Sequence, residues 1–305
     1  MESVSKITTV KSSFKKELKK SLLGFLFISP VMIGILIFCA VPIVQSFIYS
    51  FYEYDAMEKF IFNGLNNYKF LFTADWAGVG KSVSVTIIYT VISIPVNLVL
   101  SYILALLLNR NGKGTYLFRV LIYIPVVIPP IASGILWKDI FNSNNGIFNQ
   151  ILNIVGLPSS MWLDSADTAL MTMIIMGLWG LGGGMILWLA AFKNIPQTMF
   201  EAVELDGANA LQKVFYITIP MSTPIIFYNL LTGIIGSLQA FGSFIMTTDG
   251  RGPNDSLYFY CVRIYNEAFV NFNMGYACAL AWVMFAVIIL ITLLMFKTSK
   301  WVFYN

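Results

Sequence analysis

The sequence predicts an all-α integral membrane protein with six transmembrane helices. Three observations predict it. Hydrophobic residues make up 58% of the 305 positions and charged residues 11%, whereas soluble domains carry about a quarter charged. Six long runs contain no Asp, Glu, Lys or Arg, and the Lys and Arg residues between them are shared unevenly between alternate segments. With a mean hydropathy of +0.76, the chain has too few polar residues to cover a soluble fold.

The elements follow in order. Residues 1–20 are a basic tail carrying Lys6, Lys11, Lys15, Lys16, Lys19 and Lys20. Two readings stand for it: an amphipathic helix on anionic lipid, or a solvated tail that sets topology. Residues 21–298 hold the spans, in the charge-free runs 21–52, 82–109, 120–137, 168–192, 214–248 and 268–296. About 20 residues cross a 30 Å hydrocarbon core, and only 120–137 is near that lower limit. The first run is too long for a signal-peptide core and lacks a cleavage site after it, so it is read as an uncleaved span. Residues 140–163 are also charge-free, but five asparagines, a glutamine, three serines and Pro158 would leave polar groups unpaired in lipid. Short interfacial helices fit them better. Residues 299–305 form a second tail.

Positive charge sets the orientation. With the N-terminal tail inside, Arg110, Lys113, Arg119, Lys193, Lys213, Lys297 and Lys300 join its six lysines. Lys59, Lys69, Lys81, Lys138, Arg251 and Arg263 lie outside, so the count is 13 against 6. Both termini are therefore expected in the cytoplasm. Prolines punctuate the spans: Pro30 and Pro42 in the first, Pro95 in the second, Pro125, Pro129 and Pro130 in the third, Pro220 and Pro224 in the fifth. Each removes a donor and kinks or breaks its helix.

The composition also excludes functions. Histidine is absent, which removes the commonest general base and metal ligand. Cys39, Cys261 and Cys278 share no short spacing, so they read as core or lipid-facing thiols. No catalytic or metal-binding set emerges, and a net charge of +4 gives no reason to expect a nucleic-acid partner. Ion-coupled transport would need ionisable groups inside the spans, and the runs were defined by lacking them. A membrane enzyme would need paired carboxylates or a metal cluster.

Acidic residues concentrate in "EAVELDGANA" at 201–210. The loop of about 193–217 reads as two short helices. Pro196 suits a first helical position, Glu201 and Glu204 fall in the first turns where the dipole favours anions, and Gly207 ends the helix in a left-handed conformation. A second helix starts within 208–215, and Pro220 sits where the fifth span begins. On composition alone a solvated acidic loop remains an equal reading.

The pattern resembles the EAA loop of ABC importer permeases. Glu201-Ala202-Val203 stands for EAA, Gly207 follows the third position by four, and nine residues separate it from Ile217-Thr218-Ile219-Pro220. Val203 and Ile219 depart modestly from the family's Ala and Leu. "NYKFLF" (67–72), the stretch 104–141, "NGIFNQILNIVGLP" (145–158) and "TDGRGPNDS" (248–256) are similar to segments of the sugar-type branch, with Arg251 resembling an insertion.

The resemblance implies a type I ABC importer permease in the plasma membrane of a prokaryote. It implies a second homologous permease, with a heterodimer usual, and two copies of a cytoplasmic ATPase. An extracytoplasmic sugar-binding protein would deliver an oligosaccharide or related polyol; relatives that carry glycerol-phosphate esters are the alternative. No P-loop occurs in this chain, so ATP and Mg²⁺ would sit on the ATPase and this chain would hold no cofactor. The loop would form a coupling helix, with Glu201, Ala202, Val203, Glu204, Asp206, Gly207, Ala208 and Pro220 as its residues. For the substrate path, polar or flat residues deep in the spans are the candidates: Asn97, Trp179, Trp188, Asn229, Ser237 and Gln239, with Gly180 in "GLWGLGGG" (177–184). For each, helix–helix packing is the competing reading.

Overall fold

A computed structural model describes residues 24–110, 112–242 and 250–302. Residues 1–23, and with them both readings of the basic tail, lie outside the described residues. The first helix, α1, runs Gly24–Tyr49. A hairpin follows, β1 (Tyr52–Tyr54) and β2 (Phe60–Phe62). Next come α2 (Asn66–Phe72), α3 (Trp76–Leu108), α4 (Thr115–Val127), α5 (Pro130–Ile140) and α6 (Ile147–Ile154). Then follow α7 (Ala166–Gly177), α8 (Leu181–Lys193), α9 (Gln197–Leu205), α10 (Ala210–Met221), α11 (Thr223–Leu238), α12 (Tyr260–Tyr265) and α13 (Met274–Thr298).

Four stretches are long and apolar enough to cross a membrane: α1, α3, α7 with α8, and Met274–Trp301. The third and fifth expected spans are broken instead. The angle between α4 and α5 is 99°, and between α10 and α11 it is 66°. If each bent pair counts once, six spans result. The first break is chemical: Ile128 is extended at ψ 130 and Pro129 at ψ 137, as expected before prolines.

Two other prolines follow a π-turn: at Pro42 the helix runs on to Tyr49, whereas past Pro220 it ends at Met221, ahead of the 66° bend. π-turns at Leu36–Ala40 and Val214–Thr218 end two residues before Pro42 and Pro220. Proline lacks the N–H and clashes with the carbonyl four residues back, and the wider π-turn relieves that clash locally.

The hairpin corrects the all-α expectation. Its register pairs Tyr52 with Phe62, Glu53 with Ile61 and Tyr54 with Phe60. Aromatic residues at alternate positions favour strand pairing. Asp55 makes the turn: one carboxylate oxygen accepts N–H bonds from Met57, Glu58 and Lys59. Those donors, Met57 first, hold its carboxyl below the usual carboxylate range. A second correction concerns Lys81, which sits in the first turns of α3 and not in a loop before it.

Segment 140–163 forms the expected short helices, α6 and a 3₁₀ turn at Trp162–Asp164. Buried Asn149 organises it. Its amide donates to the carbonyls of Ser143 and Ser160 at 2.8 and 2.9 Å, and its oxygen accepts from the Trp162 indole at 2.7 Å.

The helices α3, α7, α8 and α11 form the centre of the bundle. At one end, Phe141, Leu163, Leu257, Phe259 and Val262 pack together. At the other, Ala105, Met185, Trp188, Leu189 and Phe192 do. Near the first end Arg263 pairs with Asp75 and lies 3.9 Å from Glu267, while the Tyr276 hydroxyl donates to Asp75. This buried cluster ties the starts of α3 and α13 to α12. Helix α1 is peripheral: no residue in its apolar stretch is buried, and its Ser46 hydroxyl accepts the Trp282 indole N–H at 3.2 Å.

The glycine run 177–184 does two things. Leu178–Gly180 is a 3₁₀ break between α7 and α8. At Gly182 the backbone of α8 meets that of α4, so a Cβ would drive into the Ile122 carbonyl oxygen. Gly182→Ala is therefore expected to cost about 1–3 kcal/mol through overpacking, read as a lowered melting temperature of the purified protein in detergent. Gly180→Ala, whose Cβ would meet nothing within 4 Å, is expected to melt with the parent.

Candidate functional site

Two places concentrate polar groups: a cavity inside the bundle and the acidic loop at one end. The cavity has a volume of about 510 Å³ and lies between α3, α7, α8 and α11. Helix α3 contributes Tyr89, Ser93, Asn97 and Ser101. Four-residue spacing keeps these side chains on one slowly drifting stripe. Helix α11 contributes Asn229, Thr232 and Ser237 with Gly233 and Gly236 between them. Gly180 and Gly236 would meet nothing within 4 Å if given a Cβ, so their bareness leaves room. Among the described residues no Asp, Glu, Lys or Arg lines the cavity.

Most of the lining hydroxyls and amides bond to their own helix. Asn229 donates to Ile225 O at 3.0 Å, Thr232 to Tyr228 O at 2.8 Å and Ser237 to Ile234 O at 3.0 Å. Each oxygen keeps lone pairs to offer the cavity. The Asn97 amide lines the cavity and is assigned no hydrogen bond among the described residues. It is the lining group with the largest unused bonding capacity, two donors and an acceptor.

Of the sequence candidates, Asn97, Gly180, Asn229 and Ser237 line this cavity, and the other three are not among its lining residues. Trp188 is buried, and its indole N–H donates to Ser101 at 2.9 Å, so it packs α8 against α3. Trp179 stacks edge-on against Trp137 at 5.1 Å, away from the cavity. Gln239 is an exposed residue just past α11. Size and polarity selected all seven, but the direction of each side chain depends on helix phase and packing. Tyr89, Ser93, Ser101 and Thr232 were missed. Their signal was present in the four-residue spacing through Asn97 and in the polar stripe of α11.

The loop is a helix–turn–helix built by two local caps. Pro196 precedes α9 with ψ 131. After α9, Gly207 takes φ +80. Its N–H donates to Glu204 O at 3.0 Å, and the Ala208 N–H to Val203 O at 3.1 Å. That pair of bonds is a Schellman ending. A capping box then starts α10: the Gln212 N–H donates to the Asn209 side chain at 2.9 Å, and the Asn209 N–H to the Gln212 side chain at 2.7 Å.

The carboxylates sit differently from expectation. No acidic residue lies in the first turn of α9. Glu201 is mid-helix and exposed, and Glu204 is in the last turn. The helix dipole disfavours an anion there, and the ion pair of Glu204 with Lys213 offsets this. Asp206 is the C-cap, Val203 and Ala208 are half-buried, and Ala202 is exposed. Pro220 lies near the end of α10. Leu205 is 90% exposed, an apolar tip beside three carboxylates. Among the described residues no group of three or more His, Cys, Asp or Glu side chains could hold a metal.

Residues 97–302 match the family described as binding-protein-dependent transport system inner membrane component. The chain is 39% identical to the probable ABC transporter permease protein YesP of Bacillus subtilis, over 94% of each chain. It is 31% identical to the multiple sugar-binding transport system permease protein MsmF of Streptococcus mutans, covering 91% of this chain and 95% of that one. Among solved structures it superposes with TM-score 0.82 on a chain of a bacterial alginate ABC transporter in complex with alginate pentasaccharide-bound periplasmic protein. That match has 20% identity and covers 93% of this chain and 96% of that one.

If the cavity is wet, its polar positions react with water-soluble thiol reagents. In a background lacking Cys39, Cys261 and Cys278, Asn97→Cys and Asn229→Cys are expected to label in the folded protein. Thr172→Cys, at a position 1% exposed and outside the cavity, is expected to stay unmodified until denaturation. The measurement is the fraction alkylated against time.

Proposed function

This chain belongs to the family of inner membrane components of binding-protein-dependent transport systems and is a permease subunit of an ABC transporter, not an enzyme; from that premise we infer that its cargo is a sugar. The observation that carries the inference is the cavity, where hydroxyls, amides and bare glycines stand among apolar side chains such as Ile94, Leu98 and Met173, with no charged residue among the described ones. Such groups match the donors and acceptors of a sugar's hydroxyls. A phosphate ester would call for Arg or Lys, and neither is among the described residues that line the cavity. The multiple-sugar relative supports the same reading.

The arrangement we propose has six spans within residues 21–298, each bent pair counting once, and cytoplasmic tails at 1–20 and 299–305. A second homologous permease completes the path as a heterodimer in the lipid bilayer. Two copies of a cytoplasmic ATPase carry ATP and Mg²⁺, and an extracytoplasmic binding protein delivers an oligosaccharide. The loop of 193–217 is the coupling element, with α9 as the helix that docks on the ATPase. Glu201 meets a basic group there, and Leu205 fills an apolar pocket. Closure of the ATPase pair moves α9 as a rigid body and switches the bundle between inward-open and outward-open states. The broken spans α4–α5 and α10–α11 supply joints for that motion.

Transport in proteoliposomes tests the reading. A side chain with a Cβ at the φ of Gly207 costs about 1–2 kcal/mol, enough for roughly a tenfold loss of the docked state. Gly207→Val is expected to abolish stimulation of ATP hydrolysis by loaded binding protein, and uptake with it. Gly207→Asn, which tolerates a left-handed backbone, is expected to retain most of both. Wild-type uptake by Gly207→Val with the ATPase bound overturns the coupling role.

Topology is checked in intact cells with single cysteines and an impermeant thiol reagent. Ser143→Cys and Asn254→Cys are expected to label, Ser3→Cys and Gln197→Cys to remain protected. Labelling at Gln197 reverses the orientation.

A further inference from the structure

We infer that the hairpin β1–β2 lies in the headgroup layer of the outer leaflet, with its aromatic face against lipid. It stands at the end of the bundle opposite the acidic loop, because α1 ends at Tyr49 and α3 starts at Trp76, while the far end of α3 packs beside the end of α8.

The hairpin is amphipathic across its thickness. Alternation puts Tyr52, Tyr54, Phe60 and Phe62 on one face and Glu53 with Ile61 on the other. The aromatic face is ordered: Tyr52 and Phe60 stack at 4.3 Å, and Phe62 meets Tyr52 edge-on at 5.4 Å. Yet all of β2 is exposed, Phe60 at 52% and Phe62 at 69%. A two-stranded sheet holds together poorly in water, and an exposed ring cluster there is an unmet burial. The opposite face carries the charges, with Ile61 exposed beside them. Glu53 and Lys59 pair at 3.2 Å, and both help line a polar cavity of about 260 Å³ with Asn67 and Asn271.

Continuity with the lipid-facing surface selects the occupant. Tyr49, the last residue of α1, meets Tyr54 at 4.8 Å and Phe60 at 5.8 Å, so the ring cluster continues the exposed apolar surface of α1. Aromatic rings at the water–lipid boundary are where membrane proteins place them, and an element with one apolar and one charged face lies in the interface plane. The hairpin thus fixes the depth at which α1 leaves the membrane.

The test uses the full chain reconstituted in liposomes, free of native cysteines. Spin labels are attached at Phe62→Cys, at Phe60→Cys as a second reporter on the same face, and at Glu53→Cys. Collision with oxygen, which concentrates in the bilayer, is compared with collision with a water-soluble nickel chelate. Oxygen is expected to exceed nickel several-fold at positions 60 and 62 and to fall below it at 53. Nickel access at 60 and 62 equal to that at 53 overturns the inference, leaving the face in water. Protection from both reagents at 60 and 62 also overturns it, because the face is then covered by protein. If that protection appears only when the second permease or the binding protein is added, that partner is the occupant.

Discussion

Inside a hydrocarbon layer no water is available to a polar group, and that constraint shapes the long apolar helices of this protein. The hydroxyls at membrane depth bond back to their own helix. Thr86 donates to Ser82 O at 2.8 Å, Thr90 to Thr86 O at 2.8 Å and Thr172 to Thr168 O at 2.9 Å. The prolines obey the same constraint. Where Pro42 follows a π-turn the ladder widens and the helix continues to Tyr49. Where Ile128-Pro129-Pro130 leaves no helical conformation, the chain turns by 99°.

Three of the settings in which polar groups escape self-bonding show different solutions. The Asn97 amide faces the cavity. Near the bundle end Arg263 stands between the carboxylates of Asp75 and Glu267, with Tyr276 as a further donor to Asp75. Asn149 spends its amide on the backbone of a loop that folds around it. Only the first leaves bonding capacity to a cargo, so the path reading rests on the cavity and not on polar residues in general. The same distinction removes Trp188 from the path, since its one donor is already taken by Ser101.

The acidic loop obeys a different rule. Its shape comes from neighbours in sequence: the Schellman ending at Gly207 and the capping box at Asn209 set the angle between α9 and α10 within a few residues. An element specified this locally keeps its geometry while the spans rearrange. That stiffness suits a part that transmits force, and Leu205, 90% exposed, gives it an apolar surface left open among the described residues.

The sequence by itself determined the membrane class, the apolar runs and the helix–turn–helix of the loop, because hydropathy, proline, glycine and asparagine act over a few residues. Gly207 at φ +80 was legible for that reason, as were the short helices around Asn149. Tertiary structure decided what depends on facing direction. It turned Trp179 away from the cavity, buried Trp188, left Gln239 outside, and placed Glu204 in the last turn of α9 beside Lys213. It also drew the hairpin out of a stretch whose charges read as loop, since strand pairing requires two segments to meet. One residue along a helix rotates a side chain by about 100°, so the type of residue says that it could line a path, and only packing says that it does.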